Sequence, residues 1–139
     1  MLRSLPYWFI LLAAFWSMVL GGLWYGPFFG KIWMQLSGFK KSQKPSSSVL
    51  FRSYSLMFLG SLITAFVLAY FFTFFPILSW SSALLYSFYI WFGFFAPVML
   101  GSFLWENKPF TLYLINVGYW LVTLLGMGLL FCLMVVKFY

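Results

Sequence analysis

GGLWYGPFFGKIWMQLSG, residues 21–38, closes a fully apolar run and opens the only sizeable polar loop of the chain. Trp24 and Tyr25 end the run at the depth where amphipathic rings prefer to sit, the membrane–water boundary. Pro27 suits a first helical position, where the missing N–H has no intrahelical partner in any case. From there Phe28, Phe29, Ile32, Trp33 and Leu36 recur at helical spacing on one face, with Lys31 and Gln35 on another. Gly38 is a suitable stop. The pattern predicts a short amphipathic helix over 27–38, lying in the interface with its rings toward the membrane and Lys31 toward water. A loop helix docked on the protein fits the same spacing.

On either side of this segment the chain divides into apolar runs long enough to cross a bilayer, which takes about 20 residues of helix. The first covers residues 5–25, and because no A-x-A-like site follows, it reads as a retained span and not as a cleaved signal. Phe39–Ser48, FKKSQKPSSS, is hydrophilic and basic, with Ser48 a suitable cap for the next helix. The second run covers 49–75, Pro76 and Ser79–Ser82 form a turn, and the third run covers 80–104. Pro97 lacks an N–H and crowds the carbonyl of residue 93, so this helix should kink near Gly93. A turn with Glu106 and Pro109 leads to the fourth run, 110–136. The expected architecture is an all-α integral membrane protein, one domain of four transmembrane helices with the interfacial helix between the first two.

Small residues recur every fourth position in each run: Ala13, Ser17, Gly21; Ser61, Ala65, Ala69; Gly93, Pro97, Gly101; Gly118 and Gly126 around Val122. Such stripes let helix backbones approach closely in lipid. Asn116, Tyr119 and Thr123 share one face of the fourth helix, and an amide two turns into a span needs a partner other than lipid. If that face meets the Pro97 kink, the two would enclose a small polar pocket lined with rings.

Composition excludes much familiar chemistry. Of 139 residues 65% are hydrophobic and 6% charged, against about 25% charged in a soluble domain, so a water-facing surface could not be covered. Glu106 is the only acid and there is no His, which leaves no carboxylate pair, no triad and no residues for a metal site. We therefore expect no enzyme activity, no cofactor and no metal. Cys132, the lone cysteine, reads as a small buried hydrophobe. The net charge of +7 sits beside the spans, where anionic lipid headgroups explain it better than nucleic acid does.

At GGLWYGPFFGKIWMQLSG and at ENKPFTLYLINVGYWLV the chain resembles a family of bacterial membrane proteins, domain of unknown function 1761. The first motif matches at Trp24, Tyr25, Pro27, Phe29, Gly30, Lys31, Trp33 and Met34. The second matches at Glu106, Pro109, Ile115, Asn116, Gly118 and Tyr119, and Gly26 stands where the family pattern has Ser. The resemblance implies four spans and a bacterial inner membrane, and it implies no activity.

By elimination, the expected role is a non-enzymatic one: an oligomer-forming or accessory subunit whose partners are membrane lipid and either further copies or a larger membrane complex. A small carrier or channel, or a lipid- or quinone-binding module with a pocket near Asn116 and Pro97, is the alternative. Lys31 and Glu106 should meet at the boundary as an ion pair, with Lys108 the local alternative for Glu106. With four spans, one side holds Lys31, Lys40, Lys41, Lys44, Arg52 and Lys108 and the other only Arg3 and Lys137. Six against two places loops 1 and 3 in the cytoplasm and both termini outside. Reporter fusions at Tyr139 and within 46–48 should read the outer and the cytoplasmic side respectively. A cytoplasmic Tyr139 would mean an odd number of spans or a reversed protein.

Overall fold

A computed structural model describes residues 7–38, 44–75 and 77–138. Arg3, Lys40, Lys41, Pro76 and the first two residues of the expected first span lie outside the described residues, as does the centre of loop 1. The described residues form α1 (Tyr7–Leu23), α2 (Gly30–Ser37), α3 (Ser47–Phe74), α4 (Trp80–Ile90), α5 (Ala96–Trp105) and α6 (Phe110–Phe138). A π-helical turn, Trp24–Phe28, extends α1, and a second, Trp91–Phe95, joins α4 to α5 without a break. Four stretches are therefore long and apolar enough to cross a membrane: Tyr7–Phe28, Ser47–Phe74, Trp80–Trp105 and Phe110–Val136. The shortest, 22 residues, spans roughly 33 Å at 1.5 Å per residue, enough for a hydrocarbon core of about 30 Å. The all-α, four-span architecture with a short helix after the first span is the one the chain adopts.

Pro27 does not start the short helix. It lies inside the π turn that ends the first span, and the helix begins three residues later, at Gly30. The reason is local hydrogen bonding. A proline removes one donor, and widening the turn lets the amide of Phe29 bond to the carbonyl of Trp24 (2.9 Å). Phe29 then breaks the helix with φ −122° and ψ 3°. The chain doubles back so tightly that a Cβ on residue 30 would stand 2.5 Å from the Tyr25 carbonyl oxygen, which only glycine avoids. Gly38, at φ +72°, ends α2 as expected. The cap of α3 is Ser46 and not Ser48, because the helix starts at Ser47. Before Pro97 the helix opens into the Trp91–Phe95 π turn around Gly93, with the amide of Ala96 bonded to the carbonyl of Trp91.

The helices are ordered α3, α1, α6, α4–α5, each packed chiefly on its neighbour in that series. The seam between α1 and α3 is the close approach foreseen from small residues. Ala13, Ser17, Ser61 and Ala65 are buried, and Ser17 donates to Ser61 across it at 2.6 Å. On α6, glycines form notches. The Trp24 ring lies 3.3 Å from where a Gly118 Cβ would stand, and the Trp16 indole occupies the corresponding space at Gly126. Gly128 leaves similar room for the Ser87 hydroxyl and the Ala83 carbonyl of α4. The third stripe behaves differently. Gly93 has open space beside it and Pro97 is exposed, so this side of α4–α5 packs on no other span; Ala83 and Ser87 do that instead.

Alanine in place of an exposed helical glycine gains about 1 kcal/mol in helix preference. Gly126→Ala should reverse that sign and cost about 1–3 kcal/mol, because the Trp16 ring has to move. Gly60→Ala, with open space at the same atom, should be neutral or stabilising. Thermal or denaturant unfolding in one detergent separates the two, and equal effects would contradict the notch.

Candidate functional site

Trp24, Tyr25, Phe29 and Trp33 of the first sequence motif and Ile115, Asn116, Gly118 and Tyr119 of the second come together where the end of α1 crosses the first half of α6. The Trp24 indole donates to the carbonyl of Ile115 at 2.9 Å, with its ring over Gly118. Tyr25, the next residue, points its hydroxyl to the Oδ1 of Asn116 at 2.9 Å. The Tyr25 ring also lies 5.4 Å from that of Tyr119, whose hydroxyl donates back to the Ser17 carbonyl at 2.8 Å. Thr123, one turn further on and fully buried, donates to the carbonyl of Tyr119 on its own helix at 2.8 Å. Asn116, Tyr119 and Thr123 therefore face α1, and the amide has a protein partner in place of lipid.

The short helix α2 closes over this crossing. Phe29 packs on Trp24 with ring centroids 4.7 Å apart, and Trp33 meets Tyr25 edge-on at 5.8 Å. Phe28 and Ile32 stay exposed, so the apolar face of α2 is divided: one part docks on the protein and the other points away from it. Lys31 is exposed beside them.

Pro97 is not part of this constellation. Tyr113, Val117 and Trp120 are the residues of α6 that meet α4–α5: the Tyr113 hydroxyl donates to Ala96, the Trp91 indole donates to Val117, and Trp120 packs on Phe95. At 100° per residue that side lies about a quarter turn from the side carrying Asn116 and Tyr119, so the Asn116 face and the kink do not enclose a pocket together. Glu106 and Lys31 are both exposed, and among the described residues neither they nor Lys108 form an ion pair. Glu106 instead follows α5, and Asn107 turns the chain with φ 52°, a left-handed conformation that asparagine tolerates.

A groove does form where α1, α3 and α6 meet, and it shares Tyr25 and Tyr119 with the crossing of α1 and α6. It has a volume of about 340 Å³ and is walled by Tyr25, Tyr54 and Tyr119. Sequence reading missed Tyr54 because nothing local distinguishes it from other aromatic residues at a span end. It also missed Trp16 and Trp91, whose indoles donate to the carbonyls of Thr123 (3.3 Å) and Val117 (2.8 Å). A signal for the first was present: Trp16 and Trp24 are eight residues apart, as are Gly118 and Gly126 on an antiparallel helix.

These features define a small polytopic membrane protein whose spans are joined by aromatic hydrogen bonds onto main-chain carbonyls. Residues 8–132 match the model of a family described as protein of unknown function (DUF1761), and the chain belongs to that family. No curated protein and no solved structure matches it.

If Tyr25 and Asn116 share one hydrogen bond, Tyr25→Phe and Asn116→Leu should each lower stability, and the double variant should lose less than their sum. The expected coupling is about 0.6–1.7 kcal/mol, the range for side-chain bonds between membrane helices. Strict additivity in a double-mutant cycle would mean that the two do not interact.

Proposed function

We propose that this protein is a non-enzymatic packing subunit of a bacterial inner membrane, with loops 1 and 3 in the cytoplasm, which works by assembling with further copies or with another membrane subunit. The observation that carries this reading is the cleft between α3 and α4–α5. It has a volume of about 320 Å³, is floored by Leu124, and is lined by apolar side chains such as Val67, Phe71, Ile90 and Phe94, with Thr64 the lone polar one among the described residues. Only Ser61, Ala65, Leu68 and Ala69 of the 28 residues of α3 are buried, so most of its apolar surface is uncovered. In lipid, helices associate through close packing, and an indented apolar face gives a neighbouring membrane helix a surface to interlock with.

The polar groups favour packing over a carrier path. The donors of Tyr25, Tyr113, Tyr119, Trp16, Trp24 and Trp91 are all spent on acceptors within the chain, whereas a solute path needs free donors and charged groups along a cavity. Among the described residues no three His, Cys, Asp or Glu come together as metal ligands would.

The test is cross-linking in native membranes. In a Cys132→Ser background, Ile63→Cys and Phe94→Cys each place a thiol at the rim of the cleft. A short thiol reagent should give a defined dimer, or one recurring adduct, from both positions. Monomers at both positions, together with native mass spectrometry of copolymer-extracted particles giving one chain with lipid alone, would overturn the assembly reading.

A further inference from the structure

The groove where α1, α3 and α6 meet is built on residues of the packing described above, Ser17, Tyr25 and Tyr119 among them, and its chemistry is unlike that of the apolar cleft. Gly21, Gly22 and Gly26 make its α1 side flat. A Cβ at Gly22 or Gly26 would meet nothing within 4 Å, and one at Gly21 would only touch the Tyr119 hydroxyl at 3.4 Å. Three tyrosine rings wall this floor, and Met18 and Met57 supply polarizable thioethers that pack well on ring faces and edges. The space, about 340 Å³, is at the small end of the roughly 300–1,000 Å³ typical of small-molecule sites.

Its polar groups are neutral and specific in kind. The hydroxyls of Tyr25 and Tyr119 already donate, to Asn116 and to the Ser17 carbonyl, so toward the groove they can only accept. The Tyr54 hydroxyl has no hydrogen-bond partner among the described residues and is the free donor. Among the described residues no charged side chain lines the groove. A phosphate or a zwitterionic headgroup seated here would lose its hydration without a cation to replace it. A flat neutral ring bearing a carbonyl acceptor, with an aliphatic tail leaving through the open side into lipid, satisfies the donor and fills the floor.

From this the geometry points to a binding site for a membrane quinone, its ring on the Gly21–Gly22–Gly26 floor and one carbonyl oxygen accepting from Tyr54. The site is independent of the assembly reading, since it shares no lining residue with the cleft beside α4, although α3 and α6 contribute different residues to both.

The protein in phospholipid nanodiscs would be photolabelled with an azido-benzoquinone carrying a decyl tail, and the labelled peptides mapped by mass spectrometry. Label is expected on residues 17–26 and 54–57, and it should be competed away by unlabelled decyl-benzoquinone but not by added phospholipid. Gly22→Leu fills the floor from a position with open space, so it should leave the melting temperature intact while lowering labelling at least tenfold. Tyr54→Phe removes only the donor and should weaken competition about three- to tenfold, the value of one hydrogen bond. Labelling spread evenly over the lipid-facing residues would overturn the proposal. So would labelling unchanged in folded Gly22→Leu, or competition by phospholipid alone.

Discussion

The indole N–H groups of three tryptophans, each donated to a main-chain carbonyl of α6, are the constraint on which the rest of the structure depends. Trp16 and Trp24 reach Thr123 and Ile115 from α1, and Trp91 reaches Val117 from the opposite flank. In lipid there is no hydrophobic force to press helices together, so packing and hydrogen bonds must hold them. An indole serves both needs, because a large apolar body carries one donor at its edge. The body needs room, and the glycines provide it. Eight residues, about 12 Å of helix, separate Trp16 from Trp24 and also Gly118 from Gly126, so two rings on one helix fit two notches on its antiparallel neighbour. A register shift of one residue would drive both rings into side chains, which is how a chain with a single acid can still specify one alignment.

The first and third spans use a similar device. WYGPF at 24–28 and WFGFF at 91–95 each open with tryptophan, place glycine third, and form a π-helical turn. In both, the leading tryptophan is the one that donates to α6, at carbonyls two residues apart. A π turn changes the direction of the side chains that follow it and lets the helix axis bend without leaving a row of carbonyls unbonded in lipid. The bend at Pro27 also brings Phe29 and Trp33 back over Trp24 and Tyr25, which explains why the aromatic residues of the first motif lie close together beside Ile115–Tyr119.

Much of this was legible from the sequence, for identifiable reasons. Spans follow from apolar length, which lipid enforces strongly. The need of Asn116 for an interior partner follows from the cost of an unpaired amide, although its partner, Tyr25, lies 91 residues away and could not be named. Pro27 was misplaced because its local preference for a first turn competes with the demand that the span keep its hydrogen bonds, and in a membrane the second prevails. Gly93 and Gly101 mark where a backbone could approach, but spacing does not supply a neighbour. α4–α5 turns Ala83 and Ser87 inward and leaves Gly93 outside. Tyr54 and the α1–α3 groove were illegible because they depend on which helices are adjacent, a property of the whole chain.

Hydrogen exchange of the tryptophan side chains measures the indole bonds directly. Trp120 is the internal control: half-buried within the same span as the acceptors, it has no hydrogen bond from its indole among the described residues. By NMR of the protein in one micelle, the indole protons of Trp24 and Trp91 should exchange at least tenfold more slowly than that of Trp120. Equal rates for the three would mean that lipid burial alone protects them, and the clamp on α6 would be refuted.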